Sequence, residues 1–76
     1  MQWIIRDVTL GYNIQKIRLE KGLTQEQLIT KMQLQGSNMS RSTLANIEVG
    51  KRNIKVYDLK IMKAILNVPY ERFFEN

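Results

Sequence analysis

The chain has 76 residues, and its 12 Lys and Arg against 7 Asp and Glu give a formal net charge of +5. It contains no Cys and no His, which excludes disulfide scaffolds, zinc fingers and imidazole-based acid–base sites. This length supports one domain with one small core, and no apolar stretch approaches the ~20 residues of a membrane span. A basic domain of this size has nucleic acid or an anionic membrane face as its first candidate partners.

Apolar residues recur at intervals of three and four rather than two, a pattern that predicts helices. The first predicted helix runs from about Asp7 or Thr9 to Lys21, and Gly22 just beyond a cationic last turn is a typical stop. Its apolar stripe consists of Leu10, Ile14 and Ile17.

A capping box predicts the start of the second helix, with Thr24 as the N-cap and Gln27 three residues later. The helix therefore begins at Gln25. Its expected inner face consists of Leu28, Ile29 and Met32.

A turn-like stretch at 35–38 precedes the third helix, for which Ser40 is the expected N-cap and Gly50 the stop. A fourth helix follows 51–53, and Asn67 is expected to end it in the left-handed conformation. Pro69 is expected to open a short fifth helix. The apolar residues of these three helices are Leu44, Ile47, Leu59, Met62, Ile65, Leu66, Phe73 and Phe74.

The third helix, at about 41–49, carries the strongest functional signal. Projected at about 3.6 residues per turn, one side is apolar, while the other is short, polar and free of acids. Such a side fits a B-DNA major groove about 12 Å wide, where Arg can bind guanine, Asn can bind adenine and Ala can contact a thymine methyl. An ordinary solvated helix face has a similar composition, so the face alone leaves both interpretations open. Its residues are Arg41, Ser42, Ala45, Asn46 and Val49.

The ordered motifs of the chain resemble the Cro/C1 (XRE) helix-turn-helix family from about Leu10 to Phe74. The resemblance rests most strongly on GLTQEQL at 22–28, followed by SRSTL at 40–44 and IE-x-GKR at 47–52. It implies an all-α, compact five-helix domain of the lambda-repressor-like type. On this basis residues 1–76 form a single DNA-binding domain, with an N-terminal arm at 1–9 and core helices at 10–74.

The resemblance also implies roles for individual residues. Arg18 and Glu48 would form a structural ion pair between the first and third helices, the alternative being two unrelated surface charges. The residues expected to read bases are Ser40, Arg41, Ser42, Ala45 and Asn46. Those expected to bind phosphate are Gln25, at the positive end of the second helix, and Lys51 and Arg52, which also fit a solvated charge pair.

Three features depart from the family pattern. Seven residues, Gln33 to Met39, separate Met32 from Ser40 where about two are usual, so the second helix is expected to reach Leu34 before a longer loop. Lys55 and Lys63 replace the usual capping residue before the fourth helix and a small residue within it. The apolar, β-prone segment 3–5 would cap the core, pair with a second subunit or be frayed.

The sequence therefore predicts a cytoplasmic, bacterial or phage-encoded transcriptional regulator that binds double-stranded DNA as a homodimer. Either the final helix with Phe73 and Phe74 or the segment 3–5 would supply the dimer contact. No cofactor, metal, membrane partner or small-molecule ligand is expected. Nor is an enzyme, because there is no His or Cys and no base for the Ser residues. The alternative is an antitoxin-like protein-interaction module of the same fold that reads DNA weakly or not at all.

Overall fold

The computed structural model describes residues 3–4 and 8–75. Four α-helices follow one another along the chain: α1 (Val8–Glu20), α2 (Gln25–Leu34), α3 (Arg41–Glu48) and α4 (Val56–Leu66). A C-terminal 3₁₀ helix (Tyr70–Phe74) follows them. Two short strands, β1 (Trp3–Ile4) and β2 (Ile54–Lys55), form an antiparallel pair.

The expectation of five α-helices is correct for four and wrong for the last. The fifth element has only five residues, too few to repay the cost of starting an α-helix. Its turn is instead closed by a hydrogen bond from the Arg72 N–H to the Pro69 carbonyl at 3.1 Å, the tighter spacing of a 3₁₀ helix. This turn places Phe73 in the core with none of its surface exposed.

The core lies where α1 packs against α3 and the C-terminal 3₁₀ helix, and where α2 packs against α3 and α4. The core is formed by Leu10, Ile14, Ile17, Leu28, Ile29, Met32, Met39, Leu44, Ile47, Ile54, Leu59, Met62, Leu66, Val68 and Phe73. Burial of these apolar side chains is the main favourable term in folding.

Local signals fix most of the helix ends where the sequence predicts them. The capping box of α2 is present, with the Thr24 hydroxyl accepting from the Gln27 N–H and the Gln27 side chain accepting from the Thr24 N–H. Asn67 ends α4 in the left-handed conformation, with φ of 55°. Lys55 precedes α4 without a side-chain cap.

The connection between α2 and α3 is long, as expected, and it is fastened to α4. Gly36 turns the chain out of α2 with φ of +97°, a conformation that favours glycine. The buried Ser37 then donates its hydroxyl to Asp58 Oδ1 at 2.8 Å and accepts from the Met39 N–H at 3.1 Å. Tyr57 adds a hydrogen bond of 3.4 Å from its hydroxyl to the Gly36 carbonyl.

The N-terminal strand pairs with its own chain. Trp3 lies opposite Lys55 and Ile4 opposite Ile54, so the backbone of β1 lies against the connection from α3 to α4. Ile5, the third residue of the expected apolar segment, lies outside the described residues.

Gly11 and Asn13 of α1 make close contacts with residues that are distant in sequence. A Cβ at Gly11 would overlap the carbonyl oxygen of Ile47, so the backbones of α1 and α3 are in direct contact there. The buried Asn13 donates its amide to the Phe73 carbonyl at 3.0 Å and to the Glu75 carbonyl at 2.6 Å.

Among the described helices, none is long and apolar enough to cross a membrane.

Candidate nucleic-acid interface

Both ends of α3 are fixed by local hydrogen bonds. At the start, the Ser40 hydroxyl accepts from the Thr43 N–H at 3.1 Å. At the end, Gly50 has φ of +80°, and the N–H groups of Gly50 and Lys51 donate to the carbonyls of Ile47 and Asn46. This is a Schellman motif, and it fixes the direction in which the loop at 51–53 leaves the helix.

The outward face of α3 consists of Arg41, Ser42, Ala45 and Asn46, with the exposed Val49 at its C-cap. Arg41 and Ser42 are exposed, and Ala45 and Asn46 are half-buried. Within the described part of the chain, the side chains of Ser42 and Asn46 form no hydrogen bond to protein. The opposite side is held by Leu44, Ile47 and Glu48, all buried. The helix is therefore anchored on one side and presents the unpaired side chains of Ser42 and Asn46 on the other.

Ser40 serves first as a cap. Its hydroxyl accepts from the Thr43 backbone and lies 3.0 Å from the Thr43 hydroxyl. A base contact by this side chain would have to compete with both interactions, which separates Ser40 from the other expected base-reading residues.

Arg18 and Glu48 form a buried ion pair between α1 and α3. Arg18 Nε donates to Glu48 Oε2 at 2.8 Å and its Nη2 donates to Oε1 at 3.1 Å, while only 7% and 1% of the two side chains is exposed. The third nitrogen, Nη1, donates to the Leu23 carbonyl at 2.8 Å. Such bidentate geometry suits an arginine and a carboxylate removed from water.

Gln25 connects this buried ion pair to Arg41 on the outward face of α3, a role that the sequence does not indicate. Its Nε2 donates to Glu48 Oε1 at 3.0 Å, and its Oε1 lies 3.4 Å from Arg41 Nε. The side chain expected to bind phosphate is thus engaged within the protein. The backbone N–H groups of Gln25 and Glu26 lie in the first turn of α2, which provides no intrahelical acceptor for them.

An acid lies beside the outward face, although α3 itself contributes none there. Glu26 Oε1 lies 3.7 Å from Arg41 Nη1, and the two side chains are 74% and 63% exposed. The sequence gives no sign of this contact, because an acid in the first turn of a helix is expected for the helix dipole alone.

The two remaining expected phosphate ligands lie shortly after the end of α3. Lys51 and Arg52 are both exposed in the loop after Gly50. The structure thus places two cations at the C-terminal end of α3 and Arg41 at its N-terminal end. No group of three or more metal-ligating side chains occurs among the residues that the structure describes.

One of the two expected dimer contacts, the final helix with Phe73 and Phe74, is corrected in part. Phe73 is fully buried and cannot contact a second subunit, which corrects that part of the expectation. Its burial follows from the 3₁₀ turn that directs it inward. Phe74 and Tyr70 remain 47% and 38% exposed.

Comparison with protein families matches residues 14–73 to a helix-turn-helix family. The chain belongs to the XRE-type helix-turn-helix family. The match spans most of α1, all of α2, α3 and α4, and most of the C-terminal 3₁₀ helix. Comparison with curated proteins gives no match.

Solved structures of restriction-modification controller proteins are similar to this member of the family. C.AhdI from Aeromonas hydrophila is 25% identical, with a TM-score of 0.76 over 88% of this chain and 94% of that one. C.Esp1396I is 36% identical, with a TM-score of 0.70 over 88% and 82% of the two chains. A tetramer of C.Esp1396I in complex with its natural 35-base-pair operator gives 36% identity and a TM-score of 0.69, with the same coverage.

Proposed function

We propose that the protein is a transcriptional regulator that binds double-stranded DNA sequence-specifically, with α3 in the major groove. The observation that carries this proposal is the outward face of α3, where Ser42 and Asn46 have no hydrogen-bond partner among the described residues while the opposite side is locked into the core. The resemblance to C.Esp1396I, a controller protein with a structure on its operator, supports the same conclusion.

Each side chain of this face has a distinct chemical role. Arg41 can donate two hydrogen bonds to guanine, and Asn46 can bind adenine bidentately. Ser42 can donate or accept, and the Ala45 methyl can contact a thymine methyl. Ser40 caps the helix and adds a base contact only by giving up part of that cap.

Phosphate contacts flank this face at both ends of α3. Lys51 and Arg52 supply positive charge in the loop beyond Gly50, and the first turn of α2 supplies backbone N–H groups. These contacts set the register of the protein on the duplex without reading its sequence. The Gln25 side chain contributes by holding Arg41, because its amide is bonded to Glu48.

The functional unit of this proposal is a homodimer. One reading helix contacts too few base pairs to select a site in a genome, and a two-fold dimer reads half-sites about 34 Å apart. Exposed Tyr70 and Phe74 are the described aromatic residues near the C-terminus that could contribute to the interface. Footprinting should show two related half-sites, and a single unrepeated site would contradict the dimer.

The proposed setting is the cytoplasm, with no cofactor and no catalytic activity. The rival function is an antitoxin-like interaction module with the same fold. The free polar groups of Ser42 and Asn46 favour DNA, because a protein-binding face is expected to be more apolar at its centre.

Binding to duplex DNA over a salt series tests the proposal. Contacts to several phosphates give a linear log–log dependence with a slope of about −0.9 per contact, whereas incidental attraction gives a shallow slope. Selection of bound duplexes from a random pool should then yield a defined site. A shallow slope together with no enriched sequence would favour the interaction module.

A further inference from the structure

Val49 is an apolar residue exposed to water at the end of the outward face of α3. It is the C-cap of the helix, and 60% of its surface is exposed. Its φ of −95° and ψ of 6° keep it close to the helical path, so its side chain neighbours those of Ala45 and Asn46, four and three residues earlier. Ala45 and Val49 therefore form a narrow apolar strip toward the C-terminal end of the face.

The Schellman motif at the end of α3 fixes the position of Val49. Its own N–H donates to the Ala45 carbonyl at 3.3 Å, and the N–H groups of the next two residues donate to the Ile47 and Asn46 carbonyls at 3.0 and 2.8 Å. The branched Cβ of valine restricts its rotamers, so little conformational entropy is lost when the side chain is covered. Val49 is thus presented to a partner in a nearly fixed orientation.

Packing of the core does not account for Val49, because Leu44 and Ile47 form the apolar inner side of α3. A single exposed apolar residue needs no explanation by itself. Val49, however, adjoins the side chains that the proposed function assigns to base edges, and the exposed Lys51 and Arg52 follow it in the chain. A duplex held by those two cations would lie against it.

We infer that Val49 is a specificity-determining residue that contacts the 5-methyl group of a thymine in the major groove. This inference rests on the proposed function. The thymine methyl is the apolar group of the major-groove base edges, and contact with the Val49 methyls removes apolar surface of both partners from water. Two small side chains bordered by polar ones are too narrow for the apolar centre of a protein interface, but they match the size of thymine methyl groups.

The strip divides base recognition along α3 into two kinds of contact. Arg41, Ser42 and Asn46 select bases by hydrogen bonds, whereas Ala45 and Val49 select thymine against cytosine, which has no methyl group. Ala45 is half-buried and Val49 is exposed, so Val49 offers the larger apolar surface. The C-terminal half of α3 should therefore favour a thymine at a defined position of the half-site.

The test replaces single thymines of the selected site with uracil, which differs from thymine only by the missing methyl group. One such replacement should weaken binding of the unmodified protein about threefold to fivefold, because one buried methyl group is lost. Val49→Ala should weaken binding to the intact site at least as much and should be insensitive to uracil at that same position. Its salt slope and its binding to random duplexes should be unchanged, since no phosphate contact is removed.

Two further variants separate this contact from other effects. Val49→Thr keeps the shape of the side chain but replaces a methyl group with a hydroxyl, so it should also lose affinity for the intact site. Leu34→Ala removes a side chain that is 80% exposed at the end of α2, and it should leave binding and the sensitivity to uracil unchanged. Circular dichroism of each variant verifies the fold.

Three outcomes would overturn the inference. The first is a selected site at which every effect of uracil persists in Val49→Ala. The second is equal weakening of specific and random duplexes by Val49→Ala, which would place the side chain against the sugar–phosphate backbone. The third is an equal effect of Leu34→Ala. In each case a defined selected site leaves the proposed function intact, whereas failure of the unmodified protein to bind any duplex contradicts the proposed function itself.

Discussion

Two arginine–carboxylate pairs flank α3, and they differ in almost every physical respect. Arg18 and Glu48 are buried, bidentate and 2.8 Å apart at their closest contact. Arg41 and Glu26 are exposed and 3.7 Å apart. Gln25 touches a member of each pair. An arginine and a carboxylate therefore connect two helices in the buried pair. In the exposed pair the same two groups form a contact that water or another ion can replace.

The difference follows from the surrounding water. A buried charge that loses its partner stays desolvated, so breaking a buried pair is costly. An exposed charge is rehydrated at once, so breaking an exposed pair costs little. Stability should consequently depend on the buried pair and hardly at all on the exposed one.

The largest expected effect comes from breaking the buried pair. Glu48→Gln should lower the free energy of unfolding by about 3 kcal/mol, because it leaves Arg18 charged and desolvated. Urea denaturation measures this change. Adding Arg18→Met should restore part of the loss by removing the stranded charge. Simple additivity of the two substitutions would show that the residues are not coupled.

Substitution of Arg41 should affect DNA selection and leave stability nearly unchanged. Arg41→Ala should weaken binding to the preferred site by about 1–3 kcal/mol and flatten preference at one base pair, with little effect on random DNA. Asn46→Ala should act similarly at a neighbouring base pair. Binding isotherms on single-base variants of the selected site measure both effects.

Lys51→Ala is the matched cationic comparison for Arg41→Ala. It should weaken all sequences about equally and reduce the salt slope by about one. If Arg41→Ala also weakens specific and random DNA alike, Arg41 holds a phosphate, and base reading shifts to Ser42 and Asn46.

A smaller loss should follow removal of a buried hydroxyl from the long connection. Ser37→Ala removes the donor to Asp58 and the acceptor for the Met39 N–H, and should cost about 1 kcal/mol in unfolding free energy. The exposed neighbour Asn38, as Asn38→Ala, is the control and should change little. Equal effects of the two substitutions would show that the connection is not fastened by Ser37.

The smallest expected effect concerns a third, exposed pair. Arg72 Nη2 donates to Glu20 Oε1 at 2.8 Å, and this hydrogen bond holds the pKa of the Glu20 carboxyl below its usual range. A carboxylate with a lowered pKa stabilises the folded state at pH values above its unfolded pKa, which is about 4.3 for Glu. That contribution is lost as the pH falls through the lower pKa of the folded state. Glu20→Gln should therefore lower the unfolding midpoint slightly at neutral pH.

The same substitution should have no effect once the carboxyl is protonated. Unfolding at a pH of about 2, well below the ordinary Glu pKa of about 4.3, measures this, because the difference between the two proteins should shrink as the pH falls. Glu71→Gln serves as a control at both pH values. An equal effect of Glu20→Gln at both values would show that charge on Glu20 contributes nothing.

The sequence predicts the parts of this fold that depend on neighbouring residues. Thr24 and Gln27 are three positions apart, and Ser40 and Asn67 adopt conformations that their own side chains favour, so the ends of α2, α3 and α4 are readable from the chain. The prediction of a fifth α-helix is wrong because the pattern of apolar residues does not distinguish a five-residue 3₁₀ turn from an α-helix.

Contacts between remote residues were less accessible. The family resemblance supplies the expectation for Arg18 and Glu48, but nothing in the spacing of Gln25 and Glu26 indicates that they meet α3. Ser37 and Asp58 lie 21 positions apart, and their hydrogen bond depends on how α4 packs. Such pairs become visible only when the packing of the helices is known.

The contact at Gly11 has a consequence for the tolerance of the chain to change. Because even a methyl group would overlap the Ile47 carbonyl oxygen, the distance between α1 and α3 is set by the absence of a side chain rather than by the shape of one. In a saturation library, position 11 should accept glycine almost exclusively. At this point α3 packs against the backbone of α1 alone, so substitution of a side chain cannot adjust the contact.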